Sequence, residues 1–527
     1  MLESEENQDE NKSFLEKINF STKNYILSLI IIGLVGLSLR LYYFPFGLPI
    51  AGDGSDYFWY AIDMSVLGNF PPGYTFPNNG WSAFLSIFFS IFHFDNVLDY
   101  MTLQRMLSVV ISVLTIIPVF LLCTRFFNKL YSLFGAALFV FEPRMLKNSL
   151  LGITEPLYIL LVATTLFCFL SKNNKVIYIS FALAALFSIV RYEGLVIIFP
   201  LSIMFFVRFR KDRIVIPKYL LALAIFILVL LPMAMIRLET IGNDGLLSNT
   251  LAAPRYYQTI SQNESNQLKI FEFIIIGIIN LVKFSGWIMI PIFIFFVPYG
   301  IFMIFKNRND KKITIIITTF FLLMPAFYAY SREIQDTRYL YVIFPILSIL
   351  SIYTIMKINS RLNKPKIIFM FLMISILFGS WLFFDYNKID YGHEKEALNI
   401  AADVTDLTSV INNYYPESKY IRYHYLKDLE KFPVLESTLV SKIKILAIEK
   451  SNSIEEYIKL GRNYGLTHLV VDGNNARPPI LNDVFYNEEK YPYLVRIYDS
   501  LEYGYKYHVK IFEIDYELFE KLQNRTT

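Results

Sequence analysis

Eleven apolar runs, each 15–22 residues long, fill the chain between residues 25 and 386: 25–44, 102–123, 131–145, 152–171, 176–191, 193–208, 217–238, 285–305, 313–330, 339–357 and 366–386. A helix crossing a bilayer needs about 20 such residues, and in hydrocarbon only a helix or a closed barrel satisfies its own backbone polar groups. Of the 527 residues, 55% are hydrophobic and 18% charged, against about 25% charged in an ordinary soluble domain. A string of soluble domains is therefore excluded. The 48 Phe and 37 Tyr exclude a disordered chain. Two Cys exclude a disulfide scaffold and a cysteine-built zinc site. A net charge of +4 makes no case for a nucleic-acid partner.

The charges mark out three regions. Residues 1–24 carry three Lys and six acids, and read as a cytoplasmic tail. Residues 25–386 carry 28 basic and 17 acidic residues over a long apolar stretch, and read as the membrane domain. Residues 387–527 carry 18 basic and 22 acidic residues, and read as a soluble domain of ordinary size. The run 80–93 is too short to span and is expected to re-enter or to lie on the surface. No small-residue cleavage site follows the first run, so it reads as a retained helix rather than a signal peptide.

Lys and Arg of short loops mark the cytoplasmic side. Arg125 and Lys129; Lys172 and Lys175; Arg208, Arg210, Lys211, Arg213 and Lys218; Lys306, Arg308, Lys311 and Lys312; and Lys357, Arg361, Lys364 and Lys366 fall in alternate loops if 80–93 does not span. Eleven spans then put the N-terminus inside and residues 387–527 outside, in a multi-pass cell-membrane protein. Of the 17 membrane-domain acids, only Asp212 and Asp310 fall inside, and all four Trp fall on the outer side. That one-sidedness exceeds an interfacial aromatic belt and puts any chemistry outside.

The first outer loop, residues 51–63, holds Asp53, Asp56 and Asp63 and no Lys or Arg. Ser55 or Asp56 is placed to cap a helix over 57–68. Capping and solvation account for any single acid here. The pair Asp53 and Asp56 sits among Tyr57, Trp59, Tyr60, Tyr74 and Trp81, an aromatic and carboxylate surface suited to a sugar. A carboxylate there can take a proton from an attacking hydroxyl or hold a divalent cation. Arg105, Glu142–Lys147, Thr154–Pro156, Arg191–Glu193 and Ser331–Tyr339 place further ions at outer span ends. Mutual pairing, such as Arg191 with Glu193, explains them in structural terms; a phosphate clamp explains them in functional terms. His93 is the only His before residue 393, so a histidine-built metal site is not expected. Asn263-Glu264-Ser265 is a glycosylation sequon, a pattern that recurs by chance. The stretch 270–284 is expected to lie on the membrane as an amphipathic helix.

In the tail, 454–466 has helical spacing, and 444–448, 467–472, 493–498 and 509–514 read as strands of an α/β domain. It contains no Cys, no glycine-rich phosphate loop and no clustered His, and reads as a packing or acceptor-docking domain.

In this order, the pieces resemble the GT-C superfamily of membrane glycosyltransferases, nearest the protein-mannosyltransferase, aminoarabinose-transferase and Rgt-like branch. Asp56-Tyr57-Phe58-Trp59-Tyr60 matches the leading Asp and trailing Tyr of the family's Asp-Glu-x-x-Tyr motif. Tyr57 replaces the second acid, and Asp53 stands upstream. Thr154-Glu155-Pro156-Leu157, Arg191-Tyr192-Glu193-Gly194 and Arg338-Tyr339-Leu340 with Pro345 resemble three later family segments. The resemblance covers roughly residues 25–386. It implies a GT-C-like polytopic α-helical fold of about 11 transmembrane helices plus outer juxtamembrane helices. It also implies an extracytoplasmic α/β domain at 387–527, which it matches more loosely.

The activity implied is inverting transfer of a hexose or pentose from a polyprenyl- or dolichyl-phosphate donor, taken laterally from membrane lipid, to a hydroxyl of a protein, lipid or glycan acceptor. Asp56 is then the general base, with Asp53 supporting it or, with Asp56, holding a divalent cation. Arg338, Arg191 and Arg105 hold the donor phosphate. Glu155 orients one of these cations or lines the acceptor site, with Tyr57, Trp59, Tyr60 and Trp81. Two rivals are weighed. An oligosaccharyltransferase subunit usually carries Trp-Trp-Asp-Tyr-Gly in its tail, and residues 387–527 contain no Trp. A transporter or flippase often shows inverted repeats and a mid-membrane site; no repeat is evident, and the polar groups gather at one face.

Overall fold

The computed structural model describes residues 22–71, 78–250 apart from 95, and 266–392 apart from 307–308 and 363–364. Beyond these it describes chiefly 453–463, 466–473 and 479–526. The sequon at Asn263 and the expected strand at 444–448 lie outside the described residues. The chain divides into two compact units, Met1–Phe94 with Leu98–Lys388, and Asp95–Val97 with Ile389–Thr527.

The first unit is helical. Its helices are α1 (Thr22–Tyr42), α2 (Asp53–Leu67), α3 (Asn79–Ile91), α4 (Val97–Leu114), α5 (Ile116–Cys123), α6 (Lys129–Val140), α7 (Pro143–Ser149) and α8 (Glu155–Phe169). They continue as α9 (Asn174–Val190), α10 (Ile198–Arg208), α11 (Val215–Ile241), α12 (Asn266–Met289), α13 (Phe293–Lys306), α14 (Asp310–Ser331), α15 (Phe344–Leu362) and α16 (Pro365–Tyr386). Among the described residues, six helical stretches are long and apolar enough to cross a membrane: Lys23–Tyr42, Val97–Cys123, Val215–Ile241, Phe271–Met289, Asp310–Ser331 and Thr337–Ser360. The protein is thus polytopic.

Other expected spans form shorter helices. The run 131–145 breaks where Pro143 follows Glu142, since the residue before a proline is pushed out of the helical region. The run 193–208 opens with a 3₁₀ turn, Tyr192–Ile197, before α10. The largest difference from the sequence reading lies at 270–305. The stretch expected to lie on the surface belongs to α12, which is long enough to span, and the expected span 285–305 is split between α12 and α13. Continuous apolarity there hides the break. The 13-residue α3 is below spanning length.

Arg40 on α1 illustrates how this unit tolerates a buried cation. It is fully buried and donates to Ser149 Oγ at 3.1 Å, Gly36 O at 3.0 Å, Val140 O at 3.1 Å and Ser112 Oγ at 3.1 Å. An ion inside an apolar bundle needs such partners, and here they tie α1 to α4, α6 and α7.

The second unit holds a four-stranded sheet of order β1-β2-β4-β3, from Tyr420–Ile421, His468–Asp472, Leu494–Asp499 (β3) and Val509–Ile514 (β4). β1 is parallel to β2, and the other pairs are antiparallel. Helices α17 (Ile454–Asn463), α18 (Pro479–Tyr486) and α19 (Tyr516–Thr526) complete it around a core that includes Ile458, Leu469, Val484 and Phe512. β4 matches the strand expected at 509–514, while α18 and α19 were not foreseen.

Candidate active site

The helix carrying the two aspartates starts earlier than its sequence suggests. Gly52, at φ 62°, precedes α2, and no side chain caps it; Asp53 is already its first residue. Both Asp53 and Asp56 lie in the first turn, where the positive end of the helix dipole favours carboxylates. Gly54 lets this turn pack tightly, because a Cβ there would come within 2.9 Å of Leu151 O and 2.5 Å of Ile50 Cγ2.

Gln104 on α4, absent from the sequence-based site, fastens that packing. Its amide donates to Gly54 O at 2.9 Å and to Gly152 O at 2.7 Å. Gly152 O also accepts from Trp81 Nε1 at 3.0 Å. One carbonyl thus joins α3 and α4 to the turn leading into α8, and Gln104 adds the start of α2.

Glu155 opens α8 and is buried. Arg191 reaches it from the end of α9, with Nη1 at 2.6 Å from Glu155 Oε1, and places Nη2 at 3.0 Å from Glu193 Oε1. The rings of Tyr158 and Tyr339 each lie 5.8 Å from the Arg191 guanidinium. Arg338 is the second residue of a 3₁₀ turn, Thr337–Ile343, capped by Asp336, whose Oδ1 accepts Arg338 N at 2.9 Å. Asp336 Oδ2 holds the Nε and Nη2 edge at 2.7 Å. The remaining Nη1 lies 2.9 Å from Asp53 Oδ2 and 4.0 Å from Glu155 Oε1. Asp53, Glu155, Arg191 and Arg338, far apart in sequence, therefore form one ionic network with Glu193 and Asp336. The network contains four acids and two arginines.

Asp56 stands outside it. Among the described residues it has neither an ion pair nor a hydrogen bond. Partial burial first, and the neighbouring Asp53 charge second, push its carboxyl above the ordinary range. Two carboxylates one turn apart are the number that Mg²⁺ commonly takes from a protein. Asp53, however, is already committed to Arg338, and no group of three or more His, Cys, Asp or Glu among the described residues could hold a metal ion.

Several expected site residues are buried and hydrogen-bonded within the fold. Arg105 is buried and donates to Leu48 O at 2.5 Å and Pro49 O at 2.8 Å, fixing the loop before α2. Trp81 is fully buried, and its indole N–H is spent on Gly152 O. Tyr60 is fully buried and accepts from Asn79 Nδ2 at 3.2 Å. Tyr57 is buried, and only Trp59 is partly open. An aromatic residue in a loop sequence looks the same whether its face ends in the core or in a site.

A narrow cleft adjoins the network. Glu155, Arg191, Glu193 and Arg338 give it polar walls, and Tyr158, Tyr339, Leu322, Pro325 and Val342 give it apolar ones. Glu193 Oε1 is taken by Arg191, whereas Oε2 is buried and has no hydrogen-bond partner among the described residues.

No family model and no curated protein matches the sequence. Solved structures do resemble it. The Archaeoglobus fulgidus oligosaccharyltransferase in complex with Zn and sulfate matches with a TM-score of 0.52, over 84% of this chain and 68% of its own, at 12% identity. The same protein tethered to an acceptor peptide containing the NVT sequon also gives 0.52, over 86% and 69%, at 13% identity. The fold is of the GT-C type. ArnT from Cupriavidus metallidurans bound to undecaprenyl phosphate gives 0.47, over 65% and 62%, at 11% identity. The GT-C likeness at these identities is one of fold.

Proposed function

We propose that the protein is a membrane glycosyltransferase that moves a sugar from a polyprenyl- or dolichyl-phosphate carrier to an acceptor at the outer membrane face. The observation that carries this is the division of labour at the start of α2: Asp53 is ion-paired to Arg338, while Asp56, one turn on, is unpaired with its carboxyl pushed up. A base is most effective when its pKa approaches the working pH. Asp56 takes the proton of the acceptor hydroxyl as its oxygen attacks the anomeric carbon. The bond from that carbon to the phosphate oxygen breaks, and the lipid phosphate leaves with the electron pair.

Of the three arginines considered for the phosphate, Arg338 fits best. Arg191 is enclosed by two glutamates and Arg105 by backbone carbonyls. Arg338 keeps Nη1 on Asp53 of α2 and stays partly exposed. In this reading the phosphate replaces Asp53 on that edge, in the fork geometry that guanidinium offers oxyanions. Support for the carrier class comes from the fold neighbours, one of which is the A. fulgidus oligosaccharyltransferase AglB in complex with an inhibitory peptide and a dolichol-phosphate.

That likeness favours one second reading, an oligosaccharyltransferase-type enzyme whose acceptor is a peptide amide. Supplying a sequon peptide or a hydroxyl acceptor to the same donor separates the two. The experiment for both is transfer of label from synthetic polyprenyl-phosphate sugars by the purified protein, wild type and Asp56→Ala. Activity in the wild type and its loss in a folded Asp56→Ala protein is the expected result. Undiminished transfer by that variant would falsify the assignment of the base.

A further inference from the structure

Glu193 is the acid of the network that keeps a buried oxygen without a hydrogen-bond partner among the described residues. Its side chain is only 9% exposed, and that oxygen is Oε2. A buried carboxylate oxygen ordinarily finds a donor, because leaving it bare forfeits its hydration without return. Neighbouring groups do not supply one. Arg191 already gives its two Nη atoms to Glu193 Oε1 and Glu155 Oε1, and Arg338 is turned to Asp336 and Asp53. The network's four acids against two arginines make a further donor welcome.

Glu193 lines the cleft described above, whose free volume is about 10 Å³. That is room for about one small polar group. A whole saccharide ring does not fit, whereas a single substituent projecting from a ring does. Arg338 lines the same cleft, so the space lies beside the cation assigned to the donor phosphate. Tyr158 and Tyr339 close it with aromatic walls, leaving carboxylate oxygen as its main acceptor.

We propose that this cleft is a specificity subsite for the transferred sugar, in which Glu193 Oε2 accepts a hydrogen bond from one ring hydroxyl. This rests on the glycosyltransferase reading. A site built around a buried acceptor rejects the analogue lacking the matching hydroxyl, because the acceptor is then left unpaired.

The test uses the full-length protein in proteoliposomes with short-chain polyprenyl-phosphate hexoses and pentoses. The best donor is then compared with its monodeoxy analogues. Wild type is expected to lose roughly 10- to 100-fold in kcat/KM at one deoxy position, as removal of a hydrogen bond to a charged group does. Glu193→Gln keeps an acceptor for Arg191 but presents an amide N–H₂ where Oε2 stood. It should use the parent donor poorly and no longer distinguish it from that one analogue, with its thermal unfolding midpoint close to wild type. A wild type that treats all deoxy analogues alike overturns the proposal without recourse to any variant. So does a Glu193→Gln protein with the wild-type preference, which would make Oε2 a structural atom satisfied by water. Failure of wild type to transfer from any such donor strikes the glycosyltransferase reading itself, and the subsite with it.

Discussion

Asp53 and Asp56 are the same residue one helical turn apart, and their partners separate their roles. Asp53 is held by Arg338, whereas Asp56 has no counter-ion and feels both burial and the charge of Asp53. A base acts in its ionised form, so kcat/KM should climb with pH through the raised Asp56 value, above the usual aspartate pKa of about 3.9. Asp53→Asn removes the second of the two causes and lets the Asp56 carboxyl fall. The acid limb of the pH–rate profile should then move to lower pH; a limb that stays put or moves up would remove Asp56 from the role. Arg338→Ala should raise the donor KM by about 10- to 100-fold, the scale of a lost charge-assisted contact. An unchanged donor KM would leave the phosphate without its clamp.

Among the elements, α2 is held from α3 and α4. Ser82 Oγ of α3 donates to Tyr57 O at 3.0 Å, Gln104 of α4 bridges Gly54 O and Gly152 O, and Trp81 shares the latter carbonyl. Gln104→Ala removes both amide contacts and opens a void, which should cost about 2–4 kcal/mol of stability in detergent unfolding. Trp81→Phe removes the other donor to Gly152 O. Because the two share one acceptor, the double variant should depart from additivity by about 1 kcal/mol; strict additivity would show that the shared carbonyl joins nothing. This layer is where sequence reasoning ran out. Asp56, Glu155, Arg191 and Arg338 were visible as scarce charges at span ends, and β4 as a short β-rich run. Gln104 gave no signal, since a glutamine on an apolar helix is silent until its partners are known. Asp336 was seen only as part of a charged segment, not as the cap that aims Arg338. Trp81 and Tyr60 are fully buried, which the sequence does not show, since composition names an aromatic ring but not the direction it faces. The continuity of α12 across 266–289 escaped because apolar residues run unbroken past its end.

At the scale of the whole molecule, the helices of the first unit differ widely in how much they lean on one another. In α11 only Ala222, Phe226 and Arg237 are buried, so most of its 27-residue surface faces outward. At 1.5 Å per residue it is about 40 Å long, and its uncharged run between Lys218 and Arg237 is about 27 Å, close to the thickness of an average hydrocarbon layer. Such a helix tilts, or its ends stand proud, according to the lipid around it. Its Arg237 donates to Asn79 Oδ1 on α3, and α3 holds α2 through Ser82. Two hydrogen bonds thus connect α11, through α3, to the helix that carries Asp53 and Asp56. Turnover in vesicles of graded acyl-chain length should pass through an optimum where the hydrocarbon layer matches this run, and Asn79→Ala should flatten that dependence. A profile indifferent to chain length would mean that α11 tilts without pulling on its neighbours. If the coupling holds, the membrane is a mechanical setting for this protein as well as its solvent, and the same chain would run at different speeds in lipid regions of different depth.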